Sequence, residues 1–265
     1  MTELSAGPLV LAGVAAAGFA GAFGVALSSR VRRGVATLIA SASVALAVAA
    51  LAWHCAYRGD WRPLLDNFEA LLWLAILVAL VSLYLRWRAT VGRIEWVAWP
   101  ITAVLLALAA ISGATQPHVY TRGTWFYTHM VSLYGCSLAF AFAASTGAMY
   151  LVLRSRLRAK HTPVDPRLGS LERLERATHT AVTIGFALLT VGIVTGIERA
   201  LRRDTSLGSQ WFWTPKVLFT TIAYVLYALV LHSPINPAFR GRRAAVLSIA
   251  GFILLLGVIV VQEIR

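Results

Sequence analysis

Glu69-Ala70-Leu71-Leu72-Trp73-Leu74-Ala75-Ile76-Leu77-Val78-Ala79-Leu80-Val81-Ser82-Leu83-Tyr84-Leu85-Arg86 carries no charge between its two ends. A helix needs about 20 mainly apolar residues to cross the hydrocarbon core of a bilayer, and this run falls in that range. Working outward, residues 7–28, 35–57, 95–113, 126–153, 178–198, 213–232 and 244–263 read the same way. The expectation is an all-α polytopic membrane helix bundle of about eight transmembrane helices, forming a single integral membrane domain over residues 1–265. The longest connection, Arg154 to Ala177, carries Pro163, Pro166 and Gly169. The short amphipathic stretch that follows, Ser170 to Arg176, reads as lying on the membrane surface.

The rest of the composition agrees. The chain of 265 residues is 58% hydrophobic and 13% charged, with a mean hydropathy of +0.72. A soluble domain holds about 25% charged residues, so a water-facing globule is excluded, as are disorder and a disulfide scaffold built on Cys55 and Cys136 alone. Glu3 in place of a basic leader, ahead of a long apolar run, argues against a signal peptide. The net charge of +13 invites a nucleic-acid partner until it is sorted by connection. Alternate connections hold sixteen Lys and Arg on one side and seven on the other, with Lys216 inside a helix. The positive-inside rule then places both termini outside, and no nucleic acid is expected.

This topology gathers aromatic and polar residues in the external connections. The first contains Gly59-Asp60-Trp61-Arg62, the second leads through Trp125 to His129, and the third ends Trp211-Phe212-Trp213-Thr214-Pro215-Lys216. Interfacial Trp and Tyr commonly sit at headgroup level, which accounts for Trp87, Trp96 and Trp99 on or near the inner face and is one reading of Trp125. Three consecutive aromatics before a proline also make a wide, rigid apolar platform suited to a flat ligand such as a porphyrin.

Histidine is the second signal, because intramembrane ionisable groups are costly and neutral imidazole is the usual axial ligand of haem iron. His54 and His129 lie at similar depth near the external face, and His232 and His179 lie toward the opposite ends of their helices. Each can instead be a histidine hydrogen-bonded to a neighbouring helix. Ser132 and Cys136 follow His129 at i+3 and i+7 and share its face. Gly192 and Gly196 form a small-xxx-small pattern, read as structural. Arg58, Arg62, Arg122, Arg202 and Arg203 are candidates to pair with propionates or with lipid phosphates.

Three stretches carry a resemblance. They are Pro63-Leu64-Leu65-Asp66-Asn67-Phe68-Glu69-Ala70-Leu71, then His129-Met130-Val131-Ser132-Leu133-Tyr134, and a long one from Leu171 through Gly185-Phe186-Ala187-Leu188-Leu189-Thr190, Trp211–Lys216 and Tyr227–His232 to Arg240-Gly241-Arg242-Arg243-Ala244. From Trp53 to Val261 the chain resembles the cytochrome c assembly family of multi-span haem-handling proteins, with its CcsA-like, CcmC-like and HemX-like branches. The resemblance implies that haem b is bound, stably or transiently, at a tryptophan-rich external loop. It makes Trp211 and Trp213 haem-binding, His129 an outer axial ligand and His232 a membrane-embedded one. Trp61 joins them as a candidate cofactor-binding residue, and His54 or His118 as a second outer ligand; His129, His232 and His54 are thus the candidate metal ligands.

The implied function is haem handling and delivery for c-type cytochrome assembly at the outer face of a bacterial inner membrane, with the tryptophan-rich loop periplasmic. The implied partners are the lipid bilayer, apocytochrome c and a second membrane subunit. No thiol pair here suits thioether formation, so any thioether bonds form on the thiols of a partner apocytochrome. Three departures stand out: Thr214 replaces the family's aspartate, Asp66 stands where asparagine is usual, and no histidine follows His232. They bring the pattern closer to the HemX-like branch, whose members suggest a non-enzymatic regulatory or assembly factor as an alternative. A haem-containing electron-transfer subunit is the third reading.

Overall fold

The computed structural model describes residues 6–28, 33–59, 61, 66–88, 93–112, 123–159, 170–202, 213–233, 235–236 and 239–261. They form eight α-helices and, among the described residues, no strand. The helices are α1 (Ala6–Ser28), α2 (Arg33–Arg58), α3 (Asn67–Arg88), α4 (Glu95–Ser112), α5 (Thr124–Arg158), α6 (Leu171–Arg202), α7 (Pro215–Leu231) and α8 (Arg242–Val261). Six of them, α1 to α6, are long and apolar enough to cross a membrane, and the protein is a polytopic helical membrane protein. The chain forms two compact units, Met1–Val119 and Tyr120–Arg265.

In the first unit α1 packs on α2 and α4, and α3 packs on α2 and α4. Lipid is as apolar as leucine, so close packing of small residues holds such helices together. Accordingly α1 buries Ala12, Ala15, Ala22 and Ala26 and inserts one large side chain, Phe19, edge-on against Trp99 with ring centroids 6.4 Å apart. Where α1 and α3 finish and α2 and α4 begin, charged side chains tie all four helices together. Arg86 Nη1 reaches Glu95 Oε1 at 2.6 Å while its Nε donates to Thr37 Oγ1 at 3.0 Å, and Arg93 Nη2 donates to the Ala26 carbonyl at 2.7 Å. A cation at that carbonyl satisfies an acceptor that the end of α1 leaves open.

The second unit pairs α5 with α6 and α8, and α7 with α8 and α6. At its centre Phe140 and Tyr227 stack with centroids 3.5 Å apart and planes 8° from parallel. Glycines flank the stack on both sides: a Cβ at Gly185 would lie 2.6 Å from Phe140 Cε1, and one at Gly251 would lie 2.8 Å from Tyr227 Cε2. A hydroxyl pair, Thr146 Oγ1 and Thr178 Oγ1 at 2.8 Å, joins α5 to α6.

Two local expectations change. Ser170 to Arg176 is no separate surface stretch but the start of α6, where the Ser170 hydroxyl accepts from the Arg173 N–H at 3.2 Å and Glu172 pairs with Arg176 at 2.7 Å. An N-capping serine and a favourable i,i+4 pair begin the helix there, and no breaker interrupts it before the apolar run. Trp99 is no belt residue. It is 0% exposed, under the Arg86 guanidinium at 5.3 Å, because it shares a helix face with the buried Thr102, Leu106 and Ala109. Trp87, by contrast, is 78% exposed.

Candidate functional site

In the first unit the unusual residues collect where α2 ends and α3 begins. Gly59, at φ +71°, lets the chain turn away directly after Arg58. Asp66 then caps α3: its Oδ1 accepts the N–H of Glu69 at 2.8 Å and its carbonyl accepts that of Ala70 at 3.1 Å. That cap brings Glu69 back over the end of α2. There Arg58 Nη1 lies 2.6 Å from Glu69 Oε1 and 3.6 Å from Asp66 Oδ2, and the Cys55 thiol donates to Glu69 Oε1 at 3.6 Å. His54 Nε2 lies 2.7 Å from Asp66 Oδ2 and 3.7 Å from Glu69 Oε1. Its ring is 2% exposed and leans on Phe68.

An ionised carboxylate only accepts, so His54 carries its proton on Nε2 and, when neutral, its lone pair on Nδ1. Nδ1 is buried without a hydrogen-bond partner. His54, Asp66 and Glu69 offer three donor atoms within 4.8 Å of one another. The guanidinium of Arg58 already supplies a cation to that pair of carboxylates, which makes the group a self-contained ionic cluster. Sequence reasoning assigned Asp66 and Glu69 no role and offered Arg58 to a propionate; the available signal was two acids and an arginine flanking apolar helices, each costly to bury alone.

In the second unit His129 stands in the second turn of α5, half-buried against α6. Its Nδ1 lies 2.9 Å from the Gly192 carbonyl and 3.1 Å from Thr195 Oγ1. A carbonyl only accepts, so Nδ1 carries the proton and the neutral ring keeps its lone pair on Nε2, the nitrogen that a metal ligand needs. A ligating histidine commonly donates its other N–H to such a group. The donor chemistry of His129 therefore fits haem iron.

The remaining predicted residues are more scattered. Trp61 and Trp213 are exposed, at 69% and 74%, in different units. Trp211 and His118 lie outside the described residues. Thr214 is the N-cap of α7 and Pro215 its first residue, which suits a residue without an N–H. His232 is the exposed C-cap of α7, its Nδ1 donating to the Ala228 carbonyl at 2.7 Å. One residue earlier, the Leu231 carbonyl accepts from His179 Nε2 at 3.3 Å. His179 and His232 thus meet the same helix end, and His179 lines a cavity of about 10 Å³ with Glu175, Tyr150 and Ser233, room for about one water.

A family profile described as cytochrome c assembly protein matches residues 43–262. The chain is 29% identical to a cytochrome c biogenesis protein CcsA of Synechococcus sp. (strain CC9311), over 86% of this chain and 85% of the relative. It is 28% identical to the CcsA of Synechococcus sp. (strain CC9902), over 86% and 83%, and 23% identical to that of Guillardia theta, over 74% and 71%. No solved structure matches it significantly.

Proposed function

The chain belongs to the cytochrome c assembly protein family, and from that membership we propose that it is a haem-handling membrane protein of c-type cytochrome biogenesis. His129 supplies Nε2 as the axial ligand at the external face of a bacterial inner membrane. The observation that carries the assignment is the hydrogen bond from its Nδ1 to the Gly192 carbonyl at 2.9 Å, which leaves Nε2 as the ligating nitrogen. We assign the role to His129, whose ring is half-buried, rather than to His54, whose lone-pair nitrogen Nδ1 is buried in a ring 2% exposed.

Trp213, with Trp211 beside it in sequence, offers an exposed apolar face to the flat ring. His232, exposed at the end of α7 with its Nδ1 likewise donating to a carbonyl, presents the same nitrogen for a second, inner position. Haem b, when bound, supplies the reactive iron; the chain's residues supply position and ligand field. The thiols for covalent attachment belong to an apocytochrome c, with a second membrane subunit as the other partner.

The test is an absorption spectrum with a pyridine haemochrome assay on the detergent-purified protein beside His129→Ala and His232→Ala. A Soret band that collapses in His129→Ala is expected, with a smaller loss in His232→Ala. Haem-replete wild type without bound haem would overturn the assignment and favour an assembly factor acting through a membrane partner.

A further inference from the structure

The groove on α6 that receives His129 is built from three consecutive features of one helix. A Cβ at Gly196 would stand 3.1 Å from His129 Cε1 and 3.6 Å from its Nδ1, so only a residue without a side chain lets the ring sit there undisturbed. One turn earlier, a Cβ at Gly192 would stand 3.2 Å from Leu133 Cδ2 and 3.8 Å from Ser132 Cβ, the side chains that follow His129 along α5. The close approach exposes the Gly192 carbonyl to the imidazole. Between the glycines lies Thr195, 2% exposed, whose hydroxyl donates to the Val191 carbonyl at 2.8 Å and contacts the Gly192 carbonyl at 3.1 Å. With its single proton turned toward these carbonyls, Thr195 Oγ1 can only accept from His129 Nδ1 at 3.1 Å.

We infer that Gly192, Thr195 and Gly196 are positioning residues that lock His129 in the Nδ1–H tautomer and orient its Nε2 before a ligand arrives. The inference rests on the proposed haem role of His129 and deepens it. Nδ1 faces two acceptors and carries its proton whether the ring is neutral or charged, so the ligating nitrogen is selected by α6 and not by the iron. Small-xxx-small patterns serve helix association; here the same two glycines also hold a histidine. Such supporting partners typically change metal affinity by about 10- to 100-fold when removed.

The experiment has two readouts on the full-length protein in detergent. ¹⁵N spectra of the histidine-labelled, haem-free protein report the tautomer of His129, identified by its absence in His129→Ala. Haem titration, with the ferric spectrum of the bound form, reports the ligand. In Gly196→Ala, which pushes the ring off both acceptors, the Nδ1–H population should fall; in both Gly196→Ala and Thr195→Val haem should bind about 10-fold or more weakly, while Thr195→Ser, which keeps the hydroxyl, should restore the affinity. If His129→Ala loses haem but Thr195→Val and Gly196→Ala keep the wild-type tautomer and affinity, the positioning inference is overturned and the ligand assignment stands. If His129→Ala binds haem as the wild type does, the proposed function itself falls. Thr195→Val keeps nearly the same shape, so the affinity it shows decides the matter even where Gly196→Ala fails to fold.

Discussion

His54 is held through Nε2 and His129 through Nδ1, so the two are held in opposite tautomers. In the first unit a full negative charge, Asp66, takes Nε2 of His54, with Glu69 and Arg58 completing a buried set of opposed charges. In the second, two neutral acceptors, the Gly192 carbonyl and the Thr195 hydroxyl, take Nδ1 of His129. The difference lies in what each environment needs from an imidazole. Buried carboxylates need positive partners and bind the ring into an ionic cluster; neutral acceptors fix its tautomer and orientation without adding charge. A histidine in a membrane helix is therefore read from the charge of its neighbours before its depth.

The most severe way to probe the contrast is to remove a carboxylate. Glu69→Ala leaves Arg58 buried opposite a reduced charge, and breaking a buried ion pair in this way costs about 3–5 kcal/mol. Unfolding in detergent should show that loss, while haem bound per folded molecule stays at the wild-type level. A double change, Arg58→Leu with Glu69→Leu, removes that pair together and should recover part of the stability, because paired burial of charge is close to neutral against an apolar replacement, while Asp66 keeps His54 as its partner. Loss of haem in Glu69→Ala at unchanged stability would break the comparison and place His54 in the ligand chemistry.

A smaller effect comes from the packing that surrounds the second unit's centre. Gly185→Ala would push a methyl to within 2.6 Å of the Phe140 ring, and overpacking of this kind costs about 1–3 kcal/mol. Thermal unfolding should register it without a change in the His129 tautomer, since the stack and the imidazole groove use different glycines. A tautomer shift in this variant would mean that the groove is not an independent device.

The sequence makes the helices legible because length and hydropathy alone decide them: the uncharged run between Glu69 and Arg86 can be little else. It says less about which face of each helix turns inward, since in lipid both faces are apolar and the inward one is marked by small and polar residues. Trp99 shows the difficulty. Its nearness to a basic connection suggests the interface, whereas its spacing with Thr102, Leu106 and Ala109 puts it in the core. The ionic cluster was hidden for a related reason. His54 and Arg58 share one helix end, but their partners Asp66 and Glu69 arrive only because Asp66 caps the next helix. The role of Gly196 was half-visible: its close-packing pattern could be read from sequence, but not that the neighbour it admits is His129.

The mildest test concerns Thr214, where this chain departs from the family's aspartate. Thr214 is the N-cap of α7, in extended conformation at φ −65° and ψ 141°. Aspartate ranks above threonine at that position and its charge complements the positive end of the helix dipole, together worth about 0.3–1 kcal/mol. Thr214→Asp should therefore raise the unfolding temperature slightly. If the gain in stability comes with unchanged haem affinity, the aspartate at this position acts on the helix. If affinity rises while stability does not, position 214 belongs to the ligand site beside Trp213, and the second unit's chemistry extends from His129 on α5 to the start of α7.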